Sequence, residues 1–229
     1  MFHVGRRIIM SKQRYDGDQT REDILIAAGK LFREQGFQKT SIQSIVLELN
    51  GLSKGAIYHH FPSKEAILDE LMRHFMPSEA LIESIRSDKE LSGLEKIQTL
   101  FLNAMFHVDV QKFLPFSPNF TKEPLLSLKY VKLTQDVFIP EIAAFIKEGN
   151  EDGSLDVPNP DLIAEVILFL LTTWYNATLF SNSLDNFYQK LETSQYVLKQ
   201  IGVDVIDSRV LSKIKEGIEA MTHEEILEN

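Results

Sequence analysis

Residues 52–68 read LSKGAIYHHFPSKEAIL and predict a short helix with one apolar and one polar face. Ser53 is of a type that commonly caps a helix, and Pro62 must end that helix because proline lacks the backbone N–H that a helix needs. Ile57 and Phe61 are four residues apart, so they lie on one side of the short helix and predict a buried face. The polar residues around them predict an exposed face that contacts another molecule.

The adjacent histidines of this stretch do not predict a metal site. Successive residues of a helix point about 100° apart, so His59 and His60 do not face one ion. The chain has no cysteine and no HExxH spacing. Ser53 has no recognisable base beside it, and neither a phosphate-binding glycine loop nor a nucleophile elbow occurs. We therefore expect no metal, no cofactor and no enzyme activity.

Two further helical patterns precede this stretch. Thr20 predicts a helix start, and apolar residues then recur at helical spacing until Gly36 ends the run. Thr40 or Ser41 predicts the cap of a second helix. Residues 50–51 are Asn-Gly, which predicts a turn because both residues tolerate a positive φ. Two helices joined by such a short turn form a helix-turn-helix, whose second helix can enter the major groove of DNA.

The residue types of the exposed face suit contact with DNA. A serine-capped helix presents backbone N–H groups that bind phosphate. Small residues, Gly55 and Ala56, keep the front of the second helix slim enough to approach base edges. Side chains that can donate to phosphate oxygens are Lys54, Tyr58, His59, His60 and Lys64. The alternative is a solvated polar helix with packing aromatics, and spacing alone leaves both interpretations open.

Charge is distributed unevenly along the 229 residues. The whole chain has a formal charge of −9, which by itself argues against nucleic acid. Residues 1–64, however, hold ten Lys/Arg and six Asp/Glu, a net charge of +4, whereas residues 65–229 have a net charge of −13. This asymmetry predicts a basic contact region on an acidic body. A hydrophobic content of 44% is that of a globular protein.

No targeting or membrane segment is predicted. The first nine residues, MFHVGRRII, lack the long apolar run of a secretory signal. Residues 166–184 carry no charge and approach the roughly 20 residues of a membrane helix, but polar residues dilute their second half. We expect a buried helix there. The lack of cysteine suits a reducing cytosol, and we expect a cytoplasmic protein.

The stretch from Thr20 to Leu68 resembles the DNA-binding region of the TetR/AcrR family of bacterial transcriptional regulators. The segments REDILIAAGKLFREQGFQKTSIQSI and LSKGAIYHHFPSKEAIL carry the resemblance. It implies an all-α chain with an N-terminal three-helix helix-turn-helix domain and a C-terminal helical bundle for ligand binding and dimerisation. The implied division is residues 1–18 as a flexible extension, 19–66 as the DNA-binding domain and 67–229 as the effector-binding and dimerisation domain.

The resemblance also assigns DNA contacts. It makes Thr40 and Ser41 the cap and phosphate contact of the second helix. The groove-facing start of the recognition helix becomes Ser53, Lys54, Gly55 and Ala56, and the phosphate contacts become Tyr58, His59, His60 and Lys64. The turn at residues 49–52 is one residue longer than the family's usual Ala-Gly-Val turn, which bears on the tilt of the recognition helix.

Beyond the helix-turn-helix the sequence predicts longer helices. Ser92 and Glu95 form a capping box, and Pro124 suits a helix start. Pro140 predicts a kink or break, and Gly149 predicts a C-terminal stop before a loop at 148–161. The most apolar helix is predicted at 161–180, and further helices at 185–201 and 204–222.

The family resemblance implies a homodimer with a small-molecule pocket. A helix apolar on all sides must be buried on all sides, so 161–181 plus one of the two later helices is expected at the dimer interface. The candidate pocket residues are Phe101, Met105, Phe106, Phe116, Phe120, Tyr130, Phe138, Trp174, Tyr175 and Asn176, with His107 a weaker candidate. The aromatic side chains are also compatible with ordinary core packing.

The sequence therefore predicts a bacterial transcriptional repressor. It would bind a palindromic double-stranded DNA operator as a homodimer and be released by a small, largely apolar or aromatic effector. The alternative is a DNA-binding architectural or protein-interaction regulator without an effector.

Overall fold

A computed structural model describes residues 17–119, 122–176, 179–180 and 183–227, and the regular elements in this part of the chain are all helical. The prediction of an all-α fold is confirmed. Short 3₁₀ turns occur at Leu114–Phe116 and Thr173–Tyr175. The α-helices are α1 (Gly17–Gln35), α2 (Ile42–Glu48), α3 (Lys54–His60), α4 (Lys64–Arg73), α5 (Glu79–Ser87), α6 (Gly93–Phe106), α7 (Val108–Phe113), α8 (Pro124–Asp152), α9 (Pro160–Leu171), α10 (Leu184–Gln200) and α11 (Ser208–Leu227).

Serine side chains cap the N-termini of many of these helices. In each case the hydroxyl oxygen accepts a hydrogen bond from the backbone N–H three residues later, which satisfies a donor that the helix itself leaves unpaired. The predicted capping box of Ser92 and Glu95 is confirmed, and its hydrogen bonds from Ser92 lower the pKa of the Glu95 carboxyl. The serines that act in this way are Ser41, Ser53, Ser63, Ser78, Ser92 and Ser183.

Helices α1 to α4 surround an N-terminal core. Its fully buried side chains come from all four helices and include Ile24, Phe32, Ile45, Ile57, Phe61, Ile67 and Leu71. Phe113 and Leu126, from α7 and α8, complete this core from outside the helix-turn-helix. A domain boundary after residue 66 would cut α4, so we propose that the DNA-binding region extends through this helix. Residues 1–16 of the predicted extension lie outside the described residues, and Gly17 and Asp18 already belong to α1.

Helices α5 to α11 surround a second, C-terminal core. Phe138, Phe145 and Ile146 of α8 pack in it against α6 and α9. Helices α6 and α8 approach each other closely at Gly93, where a Cβ atom would lie 2.2 Å from the backbone nitrogen of Gly149. The contact between these helices therefore depends on glycine at position 93.

The predicted end of α8 is wrong. The helix continues through the exposed Pro140 and past Gly149 to Asp152, where Gly153 closes it with φ +81°. A proline inside a helix costs roughly 3 kcal/mol, but buried residues on both sides of Pro140 hold the helix in the core. Gly149 is needed for close packing instead, because a Cβ there would lie 2.8 Å from the Leu155 side chain.

The predicted helix at 161–180 is shorter than expected. Helix α9 ends at Leu171, and a 3₁₀ turn follows it. The Thr172 hydroxyl donates to the backbone carbonyl of Leu168 at 2.7 Å. Threonine side chains that bind nearby backbone in this way compete with the regular helix, and a second threonine follows directly. The apolar pattern alone did not reveal this break.

Other differences concern helix starts and short helices. Thr20 is not the cap of α1, because the helix already includes Gly17 and the Thr20 side chain is buried. Helices α5 and α7 were not predicted from the sequence. No helix in the described part of the chain combines the length and apolarity needed to cross a membrane.

Candidate nucleic-acid interface

Ser41, rather than Thr40, caps the first helix of the helix-turn-helix. The Ser41 hydroxyl accepts from the backbone N–H of Ser44 at 3.1 Å, and the Ser44 hydroxyl accepts from the N–H of Ser41 at 2.9 Å. Thr40 is buried, and its hydroxyl donates to the carbonyl of Gly36 at 2.9 Å. Of these two predicted DNA contacts, Ser41 is exposed and Thr40 faces the protein.

The turn between α2 and α3 adopts the backbone that its sequence predicts. Asn50 has φ +37° and Gly51 has φ +127°, values that L side chains other than asparagine rarely adopt. Ile45 on one side of the turn and Ile57 on the other are fully buried. The core therefore fixes both helices of the pair despite the longer turn.

Helix α3 has one buried and one exposed face. Ile57 and the following Phe61 are buried, whereas Lys54, Gly55 and Tyr58 are exposed. The Ser53 hydroxyl caps the helix by accepting from the N–H of Ala56 at 3.1 Å, and His59 is also exposed. The exposed face therefore presents the Lys54 ammonium, the Tyr58 phenol and the His59 imidazole around Gly55, which has no side chain.

The two histidines form no metal site with their surroundings. The His59 and His60 rings meet edge to face, with their centroids 5.4 Å apart. Among the described residues no group of three or more His, Asp or Glu side chains has the geometry to hold a metal ion.

Lys64 lies differently from the other predicted phosphate contacts. Its ammonium donates to the backbone carbonyls of Phe37 at 2.7 Å and Thr40 at 2.8 Å. The same nitrogen is 4.2 Å from the centroid of the Phe37 ring. Lys64 thus ties the start of α4 to the loop at 36–40 that leads into α2.

Arg21 holds the C-terminal end of α3, a contact that the sequence did not reveal. Its guanidinium donates to the backbone carbonyl of His60 at 2.8 Å, pairs with Glu70 of α4 and lies 4.3 Å from the Phe61 ring centroid. The partners are 39 and 49 residues away in the chain, so no local pattern signals this contact.

Lys39 and Gln43 are further candidates for DNA contact that the sequence pattern did not indicate. Both are exposed, and they flank the capping residue Ser41. A basic residue just ahead of a helix cap is a signal that sequence reasoning could have used, because cations and helix starts both attract phosphate.

The C-terminal core contains a cavity of about 310 Å³ between α6, α8 and the 3₁₀ turn after α9. The described side chains that line it are uncharged. Six of the candidate pocket residues meet there, namely Phe101, Met105, Tyr130, Phe138, Tyr175 and Asn176.

The other pocket candidates lie elsewhere. Phe106 is packed at Gly217 of α11, and Phe116 is packed at Gly29 of α1. Trp174 accepts a hydrogen bond through its carbonyl from Lys190 at 2.8 Å, and His107 caps the end of α6. Phe120 lies outside the described residues.

Polar groups at the cavity wall are held by specific partners. The Tyr130 hydroxyl donates to the carbonyl of Phe75 at 3.2 Å, and burial raises the pKa of Tyr130 to about 12. The Asn176 amide nitrogen donates to the hydroxyl of Ser127 at 2.9 Å. Burial also raises the pKa of Tyr175. The wall therefore combines apolar side chains with polar groups that bind within the protein.

Known proteins resemble this chain both in its N-terminal helices and over most of its length. Residues 24–71 match the family model described as bacterial regulatory proteins, tetR family. The HTH-type transcriptional repressor KstR2 of Mycobacterium tuberculosis is 29% identical over 165 residues, which cover 67% of this chain and 78% of that protein. The TetR family regulator PfmR of Thermus thermophilus has a solved structure with a TM-score of 0.51 and 26% identity, covering 77% of this chain and 97% of that one. NalD of Pseudomonas aeruginosa, a repressor of a multidrug efflux pump, shares the fold at a TM-score of 0.59 and 20% identity, covering 81% and 96%.

Proposed function

We propose that this chain, whose residues 24–71 match the model of the tetR family of bacterial regulatory proteins, is a sequence-specific repressor that binds a palindromic operator as a homodimer. The observation that carries the proposal is the geometry of α3. Its buried Ile57 and Phe61 anchor the helix, while its exposed face presents Lys54, Tyr58 and His59 around the bare backbone of Gly55. Such a slim, polar helix face suits the major groove.

The proposed phosphate contacts surround that face. Ser41, Lys54, Tyr58 and His59 are exposed, and Lys39 joins them from the start of α2. We propose that Lys64 and Thr40 act by positioning the loop at 36–40, because their side chains bind protein carbonyls.

The exposed face of α9 supports a homodimer. Leu162, Val166 and Phe169 share one face at helical spacing and are 60%, 39% and 45% exposed. The opposite face of α9 is buried in the C-terminal core. Exposed apolar side chains in such a row indicate a protein interface.

Helix α10 is the better second partner at this interface. It packs against α9, and Tyr196 on it is 66% exposed. In residues 208–220 of α11, by contrast, no large apolar side chain is exposed. A two-fold axis through α9 and α10 would give two copies of α3 in one particle, as a palindromic site requires.

The cavity supports a small effector. Its volume of about 310 Å³ falls at the lower end of the range of roughly 300–1,000 Å³ for ligand sites. A mainly apolar wall with Tyr130 and Asn176 as polar groups favours an uncharged, largely aromatic molecule. Release would follow if the occupied cavity favours a spacing of the two α3 helices that no longer fits the half-sites.

Salt-dependent retention of random genomic duplexes tests the DNA proposal. We expect a recovered palindrome, with half-sites about one helical turn apart, whose affinity falls steeply with salt. Retention without a shared sequence would favour an architectural regulator, and no retention at low salt would exclude DNA binding.

A matched pair of dyes tests the effector proposal separately. The neutral N-phenyl-1-naphthylamine should bind and gain fluorescence, whereas its anionic sulfonate analogue should bind much more weakly. Ala104→Trp, which fills the cavity, should abolish binding of the neutral dye. Equal binding of both dyes, or binding that survives Ala104→Trp, would contradict an uncharged ligand in this cavity.

A further inference from the structure

Glu123 uses its carboxylate to bind the helix-turn-helix rather than its own helix. It occupies the position before α8, where a side chain normally accepts a hydrogen bond from the first turn, yet it makes no such bond. One of its carboxylate oxygens instead accepts from the backbone N–H of Phe37 at 2.7 Å. The residue that precedes the longest helix therefore binds the loop between α1 and α2.

Gly36 makes room for this contact. Its φ is +88°, and a Cβ atom there would lie 2.8 Å from the bound oxygen of Glu123. The glycine thus allows both the sharp end of α1 and the close approach of the carboxylate.

The loop that Glu123 binds also determines the position of α2. Lys64 binds the carbonyls of Phe37 and Thr40, and the hydroxyl of Thr40 donates to the carbonyl of Gly36. The next residue, Ser41, is the cap of α2. A displacement of the Phe37 N–H would therefore also displace α2, the first helix of the helix-turn-helix.

The other end of this connection is the cavity. Leu126 of α8 belongs to the N-terminal core, whereas Tyr130, Val131, Thr134 and Phe138 of the same helix line the cavity. At 1.5 Å per residue, Phe138 is about 21 Å along the axis from the start of α8. One continuous helix joins the cavity wall to Glu123.

We propose that Glu123 is a positioning residue that transmits the state of the cavity, through α8, to the Phe37 loop and α2. This inference rests on the proposed effector function. This connection is distinct from the hydrogen bond of Tyr130 to Phe75, which joins the cavity wall to the segment just after α4. A filled cavity displaces α8, and the Glu123 carboxylate carries that displacement to the backbone of Phe37.

Substitutions that fill the cavity test the proposal without an identified ligand. Ala104→Phe in the full-length protein places a ring in the cavity, and Ala104→Ser is the matched control that leaves it empty. The readout is the amide resonance of Phe37 in a deuterated sample. We expect Ala104→Phe to shift this resonance and Ala104→Ser to leave it near its wild-type position. If Ala104→Phe does not fold, Val131→Phe with Val131→Ala as its control replaces the pair.

The decisive comparison repeats the pair in a Glu123→Ala background. There the filled cavity should no longer shift the Phe37 resonance, whereas Glu123→Gln, which keeps an acceptor oxygen, should restore part of the response. An unmoved Phe37 amide in folded Ala104→Phe would overturn the proposal. A shift that persists undiminished in Glu123→Ala would also overturn it, because the displacement would then travel by another route.

Affinity for the recovered duplex separates this inference from the proposed function. Filling the cavity should weaken binding by about 5- to 150-fold, the usual range of allosteric coupling, and by much less when Glu123 is alanine. A chain that binds no DNA would refute the proposed function, while the Phe37 resonance would still decide the role of Glu123.

Discussion

Two lysines of the same short stretch, Lys54 and Lys64, have different surroundings in the folded chain. Lys54 is exposed on α3, near the Tyr58 ring. Lys64 is half-buried and donates to two backbone carbonyls of the loop before α2. The Lys54 side chain is therefore exposed to solvent, whereas the Lys64 ammonium binds the loop before α2 within the protein.

We expect alanine at position 54 to weaken DNA binding and alanine at position 64 to lower the stability of the fold. Lys54→Ala should lower the salt slope of operator binding by about two while leaving stability unchanged, because it removes one phosphate contact from each chain of the homodimer. Lys64→Ala should leave the slope unchanged and lower the free energy of unfolding by about 1–3 kcal/mol, because two carbonyls lose a charged donor. Titrations at several salt concentrations and urea unfolding measure both effects. A reduced slope in Lys64→Ala would make Lys64 a phosphate contact after all.

Tyr130 should make the protein sensitive to alkaline pH. Its pKa is raised from 10 to about 12 by burial, so the folded state keeps the phenolic proton when the unfolded state has lost it. Stability therefore falls as pH rises from 10 to 12, by about 2–3 kcal/mol from this group. Tyr130→Phe should remove that part of the fall, at a cost of about 1 kcal/mol near neutrality for the lost bond to Phe75. Urea unfolding from pH 8 to 12 measures whether the free energy of unfolding falls over this range. An equal pH dependence in both proteins would argue against a buried phenol.

At the scale of elements, helical glycines serve opposite purposes. Gly55 has open space around it, and the atom nearest to a methyl group added there would be the Ser53 hydroxyl at 3.8 Å. Gly93 lies at the crossing of α6 and α8, where the same methyl group would meet backbone atoms at 2.2 Å. One glycine keeps a surface slim, and the other lets two helices touch.

Gly55→Ala should therefore stabilise the protein but weaken its function. Alanine favours the helix by up to about 1 kcal/mol over glycine, while the added methyl group crowds the face proposed to meet base edges. Gly93→Ala should instead destabilise the chain by about 1–3 kcal/mol or more, because backbone cannot yield easily. Thermal unfolding and operator affinity, measured on both variants, give the comparison. Unchanged affinity in Gly55→Ala would show that this face does not approach the bases closely.

At the scale of the whole molecule, the apolar row on α9 predicts how two chains associate. Phe169→Glu should dissociate the homodimer, because it buries a charge in an apolar interface. Leu128→Glu on α8 is the matched control, since Leu128 is similarly exposed, at 53% against 45% for Phe169. Sedimentation velocity measures the assembly, and operator binding should fall with it. Dissociation by Leu128→Glu but not by Phe169→Glu would move the interface to α8.

Local chemistry made part of this architecture predictable. The cap at Ser53, the stop before Pro62 and the turn at Asn50 and Gly51 each depend on residues within one turn of the backbone. The apolar spacing of Ile57 and Phe61 likewise identified the buried face of α3. Such features require no knowledge of distant residues.

Packing between distant segments decided the features that sequence spacing missed or misplaced. Pro140 and Gly149 are strong local stop signals, yet α8 passes both because its flanks are buried in the C-terminal core. The apolar pattern of α9 continued past Leu171, but hydrogen bonding by Thr172 ended the regular helix.

The all-helical class, the helix-turn-helix and the polar face of α3 could be predicted from the sequence, because neighbouring residues encode periodicity, caps and turns. The folded chain was needed to show which lysine faces solvent, which aromatic residues share a cavity, and that Glu123 contacts Phe37, 86 positions away in the chain. These features arise where segments far apart in sequence come into contact, and the spacing of residues along the chain carries no record of that contact.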